Sequence, residues 1–300
     1  MTIEAVRTPA TDPAAWVGPL STGLALEDQI ERYPRFTLRV PHPAGALALA
    51  RGRHASLCVV SQPPGAPEAG PAAYDDDAIW LVLAGEATFR NEDGQEVAHL
   101  GHQQGLLTPK GEPYSYQNAG DGLLVMLRGA GRRDPVEGSR ASYRGDSPGG
   151  TEAISWRREP WAGVNAQPEP FKRFDLRFPL RGENVAAWRV LARSERIAIH
   201  SSSLEPSRGE VNLHAHDDEA IWVVLFGEVT FFGPSLSHAE PSEESQSGEE
   251  SQELATLHAN DGIMIPQDTL YRYVNTGDGY LHMLRFGGRG EPAPPLAVGS

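Results

Sequence analysis

The chain has 300 residues, which is enough for two ordinary domains that each bury their own core. Its formal net charge of −14 argues against nucleic acid as a partner, because a phosphate backbone needs a basic surface. There is no apolar run near the roughly 20 residues of a membrane helix, no apolar N-terminal signal stretch, and Cys58 is the only cysteine. These features predict a cytoplasmic protein that does not interact with a membrane.

Three parts of the chain are predicted to lie outside its repeated units. Residues 1–34 form an N-terminal extension that contains the best helix candidate, Leu24–Glu31. Residues 135–172, rich in Gly, Pro, Ser and Arg, are typical of a linker, and residues 291–300 form a tail.

Three blocks of sequence occur twice in the same order, which predicts two related units over residues 35–134 and 173–290. The matched blocks are RFTLRVP and RFDLRFP, DAIWLVLAGEATF and EAIWVVLFGEVTF, and NAGDGLLVMLR and NTGDGYLHMLR. The central blocks are rich in β-branched and aromatic residues, with one glycine at the same place. Neither unit shows a sustained helical period, so we predict an all-β sandwich or barrel.

The second unit carries one clear insertion, residues 233–253, where the first unit has a tight turn between two strands. The insertion contains six glutamates, no Lys or Arg and few apolar residues. We interpret it as a flexible acidic loop that accounts for much of the negative charge.

Two further motifs resemble those of the cupin superfamily, and their duplication resembles a bicupin. The first motif corresponds here to Gly209, His214, His216, Glu219 and Gly227. The second corresponds to Gly262, Pro266, Tyr271 and Asn275, and in the first unit to Gly105, Pro109, Tyr114 and Asn118. The resemblance implies two antiparallel β-barrels of the double-stranded β-helix or jelly-roll type, arranged as a pseudo-dimer. In most active members, three His and one Glu hold Fe, Mn, Ni or Zn.

His214 and His216 are the firmest candidates for metal ligands. They lie two residues apart on a predicted strand, so both imidazoles project from one face, and imidazole nitrogen suits first-row divalent metals. The first unit has Ala72 and Tyr74 at these places. We therefore expect a metal site in the second unit and a degenerate first unit.

Glu219 arrives one residue earlier than the family pattern expects, and Ala220 occupies the ligand place. Strict alternation would turn Glu219 to the face opposite the histidines, whereas a β-bulge would restore it. Asp77 of the first unit also precedes an alanine, which favours a structural role. Glu219 therefore stays open as a metal ligand, with Asp218 as a weaker substitute.

Tyr271 stands where the second motif has histidine. It could ligate a metal, donate a hydrogen bond or act as the catalytic acid or base. Tyr114 occupies the same place in the first unit, which favours barrel packing instead.

His282 is aligned with Val125, which suggests a side chain that points into the second barrel. It is a candidate for the missing third nitrogen ligand, the alternative being a histidine hydrogen-bonded to a carbonyl. His258 also differs from its counterpart in the first unit, Gly101, but it lies in a predicted turn, where we expect it to be exposed. The shared residues Trp222 and Arg285 are assigned to the architecture.

The sequence thus favours a metal-dependent enzyme with its site in the second barrel and a small organic molecule as substrate. The family resemblance favours an Fe(II) dioxygenase, with Zn, Mn or Ni also compatible as the ion. A metal-assisted isomerase, cyclase or lyase in which Tyr271 moves protons is an alternative. A non-catalytic bicupin that binds a small molecule is another, and a homo-oligomer is compatible with all of them.

Overall fold

A computed structural model of the protein describes residues 33–39, 45–131, 171–176, 186–206, 210–234 and 251–288. The helix candidate, the middle of the linker, most of the acidic loop and the tail lie outside these ranges. Every regular element within them is a β-strand, so the all-β expectation is confirmed. No helix in the described ranges is long and apolar enough to cross a membrane.

The described part of each half of the chain contributes ten strands. Those of the first half are β1 (Arg35–Thr37), β2 (Gly45–Arg51), β3 (Ala55–Gln62), β4 (Ala69–Ala72), β5 (Ala78–Ala84), β6 (Ala87–Asn91), β7 (Glu96–Leu100), β8 (Gln104–Thr108), β9 (Tyr114–Asn118) and β10 (Leu124–Gly131). Those of the second half are β11 (Lys172–Asp175), β12 (Ala186–Arg193), β13 (Ile197–Leu204), β14 (Glu210–His214), β15 (Glu219–Phe226), β16 (Glu228–Pro234), β17 (Ser251–His258), β18 (Asp261–Ile265), β19 (Tyr271–Asn275) and β20 (Leu281–Gly288).

Each half builds a barrel from a six-stranded and a four-stranded antiparallel sheet. The first barrel has the orders β11-β8-β5-β10-β3-β2 and β4-β9-β6-β7, and the second has β1-β18-β15-β20-β13-β12 and β14-β19-β16-β17. Gly85 and Gly227, the paired glycines, have φ angles of 79° and 89°. A side chain there would collide with the backbone of the strand opposite, so both turns require glycine.

The two barrels exchange their first short strands. β1 pairs with β18 of the second barrel, and β11 pairs with β8 of the first. Gly262 and Gly105 make room for this, because Phe36 and Phe174 lie where a side chain on either glycine would project. The sheets therefore differ from the sequence repeats by one strand each, which the repeat boundaries did not anticipate.

Alternating residues of the six-stranded sheets feed two different cores. In β10, Leu124 and Met126 face the interior of the first barrel, whereas Val125 and Leu127 face an apolar core shared by both barrels. The shared core includes residues from both six-stranded sheets, which are buried on both faces and so read as continuous apolar runs. This packing supports the pseudo-dimer arrangement.

The acidic insertion joins two paired strands. β16 and β17 remain antiparallel out to Pro234 and Ser251, so the insertion extends a hairpin. Glu253, at the end of the predicted loop, belongs to β17.

Candidate metal site in the second barrel

The histidine pair lies at the end of β14, against β19. His214 is paired with Tyr271 across the two strands, and a register irregularity separates it from Val211. His216 follows the strand, where its carbonyl accepts a hydrogen bond from the Asp268 amide. The two imidazole rings lie 4.8 Å apart between centroids at an angle of 89°. The structure therefore brings both predicted ligands together.

Both histidine side chains carry a shielded Nε2. In His216 this atom has no hydrogen-bond partner among the residues that the structure describes. Burial, and then the charge of Arg285, hold the pKa of His216 far below its usual value. The imidazole is therefore neutral at physiological pH, which is the form that ligates a metal.

Glu219 faces away from the histidine pair and joins the two barrels. Its carboxylate accepts hydrogen bonds from the backbone amides of Arg53, His54 and Ala55 of the first barrel, at 3.2, 3.0 and 3.0 Å. A side chain at Gly52 would have to displace the carboxylate, which occupies that space. The open question between ligation and structure is thus answered in favour of structure, since no bulge restores Glu219 to the barrel interior.

Asp218, the substitute ligand, forms a buried ion pair with Arg285. The first barrel has the same arrangement, in which Arg128 donates to Asp76 at 2.8 Å. Because the pair occurs in both barrels, it belongs to the architecture, and Asp218 is already engaged by a cation.

The expectation that His282 points into the second barrel is wrong. Its neighbours on β20, Leu281 and Met283, face that interior, so alternation turns His282 to the other side. There its Nδ1 lies 2.8 Å from the hydroxyl of Ser203, and its ring stacks on the partly exposed Tyr280. The inference failed because Val125, its counterpart, is buried by the other barrel and not by the interior of its own.

Tyr271 does contact the pair, with its ring centroid 4.6 Å from that of His214. Its hydroxyl accepts a hydrogen bond from Nε1 of Trp222 at 3.3 Å, and burial raises its pKa to about 12. Tyr114 accepts the same bond from Trp80 in the first barrel. The hydroxyl therefore stays protonated, and the shared bond supports the packing role.

Sequence reasoning missed three residues that face the same interior, namely Trp188, His200 and Ser202. Trp188 lies 5.8 Å from His200 and 6.3 Å from His216 between ring centroids. Strand register aligns the three with residues of the first barrel: Ala46, Cys58 and Val60. The signal lay in β12 and β13, but these strands share too few identical residues with β2 and β3 to be aligned without the register.

Only two side chains of the predicted ligand set meet. In the described part of the chain, no group of three or more His, Cys, Asp or Glu residues is arranged to hold a metal ion. The histidine pair thus provides two imidazoles, fewer than the four ligands that the family pattern implies. His258, by contrast, is exposed as expected, but it is the last residue of β17 and not part of the turn, and it lies beside Glu228.

Comparison with known proteins supports the fold. No family model and no curated protein matches the sequence. Among solved structures, the chain resembles a cupin 2 conserved barrel domain protein from Leptotrichia buccalis, with 10% identity, a TM-score of 0.51, and coverage of 83% of this chain and 90% of that one. It also resembles a variant of oxalate decarboxylase from Bacillus subtilis, with 16% identity, a TM-score of 0.55 and coverage of 85% and 77%. For a salicylate 1,2-dioxygenase from Pseudaminobacter salicylatoxidans the identity is 13% and the TM-score 0.53, with coverage of 83% of this chain and 77% of that one.

The chain therefore has the fold of these cupin-domain proteins, with two such barrels in one chain. Identities this low establish the fold alone, since one fold hosts many activities. The resemblance first recognised in the motifs is confirmed at that level.

Proposed function

We propose that the protein is a metal-dependent enzyme that acts on a small organic molecule inside the second barrel, with the ion held by His214 and His216. The observation that carries this proposal is the unpartnered, shielded Nε2 of His216 beside a second imidazole. At the same places the first barrel has Ala72 and the buried Tyr74.

The two residues fit a first-row divalent ion, because both are imidazoles and that of His216 is neutral. Such an ion would supply a Lewis acid and, if it is Fe(II), a binding position for O₂. Fe(II) is favoured, and Zn, Mn and Ni are compatible with the same donors. Solved structures with this fold include a named dioxygenase and a named decarboxylase, which supports an enzyme without choosing the reaction.

The side chains around the histidine pair are aromatic and buried, and one of them, Tyr271, keeps its hydroxyl proton. Trp222, Phe231 and Tyr273 are completely or almost completely buried around the pair, so polar interactions within the barrel are weakly screened. Tyr271 retains its hydroxyl proton next to His214. A dioxygenase needs no proton from this residue, whereas an isomerase or lyase would use it as an acid.

Metal content of the purified protein tests the proposal. We expect about one transition metal ion per chain, and a loss of at least tenfold in H216A, since only one imidazole of the pair then remains. H258A is the matched control, because His258 is an exposed histidine of the same barrel with carboxylates beside it. Equal metal content in H216A and the wild type would overturn the assignment.

Oxygen consumption during turnover separates the reactions. Stoichiometric O₂ uptake supports the dioxygenase, and turnover without uptake supports the isomerase or lyase. Protein that binds small molecules but carries no metal supports a non-catalytic bicupin.

A further inference from the structure

The interiors of the two barrels differ mainly along one wall of the second barrel, formed by β12, β13 and the end of β14. Five of the changes on this wall pair Ala46 with Trp188, Cys58 with His200, Val60 with Ser202, Ala72 with His214 and Tyr74 with His216. Metal ligation would account for the last two changes alone. The other three add an indole, an imidazole and a hydroxyl to the same interior.

One ring nitrogen of His200 makes no hydrogen bond within the described structure. Burial, and then the charges of Arg285 and Arg193, lower the pKa of the imidazole to about 3, so the ring is neutral at physiological pH. Its Nδ1 is shielded and has no partner among the described residues. A neutral imidazole has one acceptor nitrogen, and with the proton on Nε2 that acceptor is Nδ1.

Trp188 is held in a fixed orientation next to this acceptor. Across the two strands it is paired with Ser202, whose hydroxyl lies 3.4 Å from that of Tyr273. The ring packs edge-on against Trp222, with centroids 5.5 Å apart, and is itself only partly buried. An anchored, partly exposed indole offers a flat apolar surface at low entropic cost.

Two cations lie near the wall. Arg285 lowers the pKa of both His200 and His216 and is paired with the buried Asp218, and Arg193 also lowers the pKa of His200. A charged ligand would need its own counter-charge after it left water, whereas a neutral one would not. The wall therefore suits a neutral molecule that carries a hydrogen-bond donor.

We propose that Trp188 and His200 form the substrate-recognition subsite of the second barrel, for a neutral planar molecule with a hydroxyl group that donates to His200 Nδ1 while its ring packs on Trp188. The proposal deepens the proposed function by naming the substrate class of that site. The subsite itself needs no metal, so it can be tested separately.

Binding of two matched probes to chelator-treated, metal-free protein tests the subsite. 4-Nitrophenol has a hydroxyl that can donate, and 4-nitroanisole has the same ring without a donor. At a pH at which the phenol is neutral, we expect the wild type to prefer it about tenfold in Kd, the effect of one buried hydrogen bond. Calorimetry measures both affinities directly.

Four variants identify the residues responsible. H200L should abolish the preference for the phenol, H200N should restore part of it through its amide oxygen, and W188A should weaken both probes equally. C58A, at the position of His200 in the first barrel, should change neither affinity. A purely structural role for His200 would weaken both probes together in H200L and leave the preference intact.

The proposal is overturned if the wild type binds neither probe, binds both equally, or keeps its preference in H200L. The metal assignment fails on a different measurement, the metal content of H216A. A protein that binds metal without the phenol preference would refute only the subsite, and the reverse result would refute only the metal site.

Discussion

The two barrels share a scaffold and differ in one wall, and the difference separates residues that hold the fold from residues available for chemistry. The shared interior pairs are Trp80 and Trp222, Phe89 and Phe231, Tyr114 and Tyr271, Tyr116 and Tyr273, and Arg128 and Arg285. Where the second barrel has His216, the first has Tyr74, which packs 5.2 Å from the Tyr114 ring with the Arg128 guanidinium 4.8 Å over its centroid. The first barrel therefore fills this place with Tyr74 beneath Arg128, whereas in the second barrel Nε2 of His216 and Nδ1 of His200 have no partner among the described residues.

The largest effect on stability is expected when the buried ion pair of Asp218 and Arg285 is broken. D218A leaves the Arg285 guanidinium buried and uncompensated, and we expect the free energy of unfolding to fall by about 3 to 5 kcal/mol. D76A is the matched change in the first barrel, where Asp76 and Arg128 are more exposed, so its cost should be smaller. Urea unfolding measures both. Equal losses would mean that the two pairs do not differ in their shielding from water.

Removal of the Glu219 carboxylate, which joins the two barrels, should lower the free energy of unfolding by a smaller amount. E219A leaves three backbone amides of Arg53–Ala55 without their carboxylate, which costs about 2 to 3 kcal/mol. D77A, the matched change in the first barrel, should cost less, because the Asp77 carboxylate accepts from the exposed backbone amide of Lys110. The turn of the second barrel that corresponds to Arg53–Ala55 does not depend on Asp77, since its amides donate to the hydroxyl of Ser194.

Metal content distinguishes structure from ligation at Glu219. E219A should keep the metal content of the wild type, corrected for any unfolded fraction. Loss of metal from fully folded E219A would contradict the placement of its carboxylate on the first barrel.

Conversion of the second wall to the first should remove function without a large loss of stability. W188A/H214A/H216Y installs the first-barrel residues, and W188A is included because Trp188 lies against the place that the tyrosine would take. We expect metal content to fall at least tenfold while the free energy of unfolding stays within about 2 kcal/mol of the wild type.

The reciprocal change in the first barrel sharpens the same comparison. A72H/Y74H places a histidine pair there without the indole and the imidazole of the other wall. A second bound metal would show that the pair suffices, whereas an unchanged stoichiometry would show that it does not.

The fold and the histidine pair could be predicted from sequence because both rest on local patterns. The repeated blocks follow strand periodicity, and two histidines two residues apart need no knowledge of distant contacts. The open question at Glu219 and the wrong expectation for His282 both depend on contacts between the barrels. Glu219 is held by amides 164 to 166 residues away, and His282 was placed by a valine whose burial comes from the opposite barrel. The exchange of β1 and β11 is likewise a relation between halves that no single repeat encodes.

The smallest effect is expected at His282. H282V installs the first-barrel residue on the outer side of β20, where His282 is half-buried and bonded to Ser203. Replacement of one half-buried hydrogen bond by an apolar contact should change the free energy of unfolding by about 0.5 kcal/mol or less. Metal content and the preference for 4-nitrophenol should both stay at the wild-type values, because the ring faces away from the histidine pair. A drop in metal content with stability unchanged would show that His282 does reach the site, and that the interior of the second barrel is organised differently from that of the first.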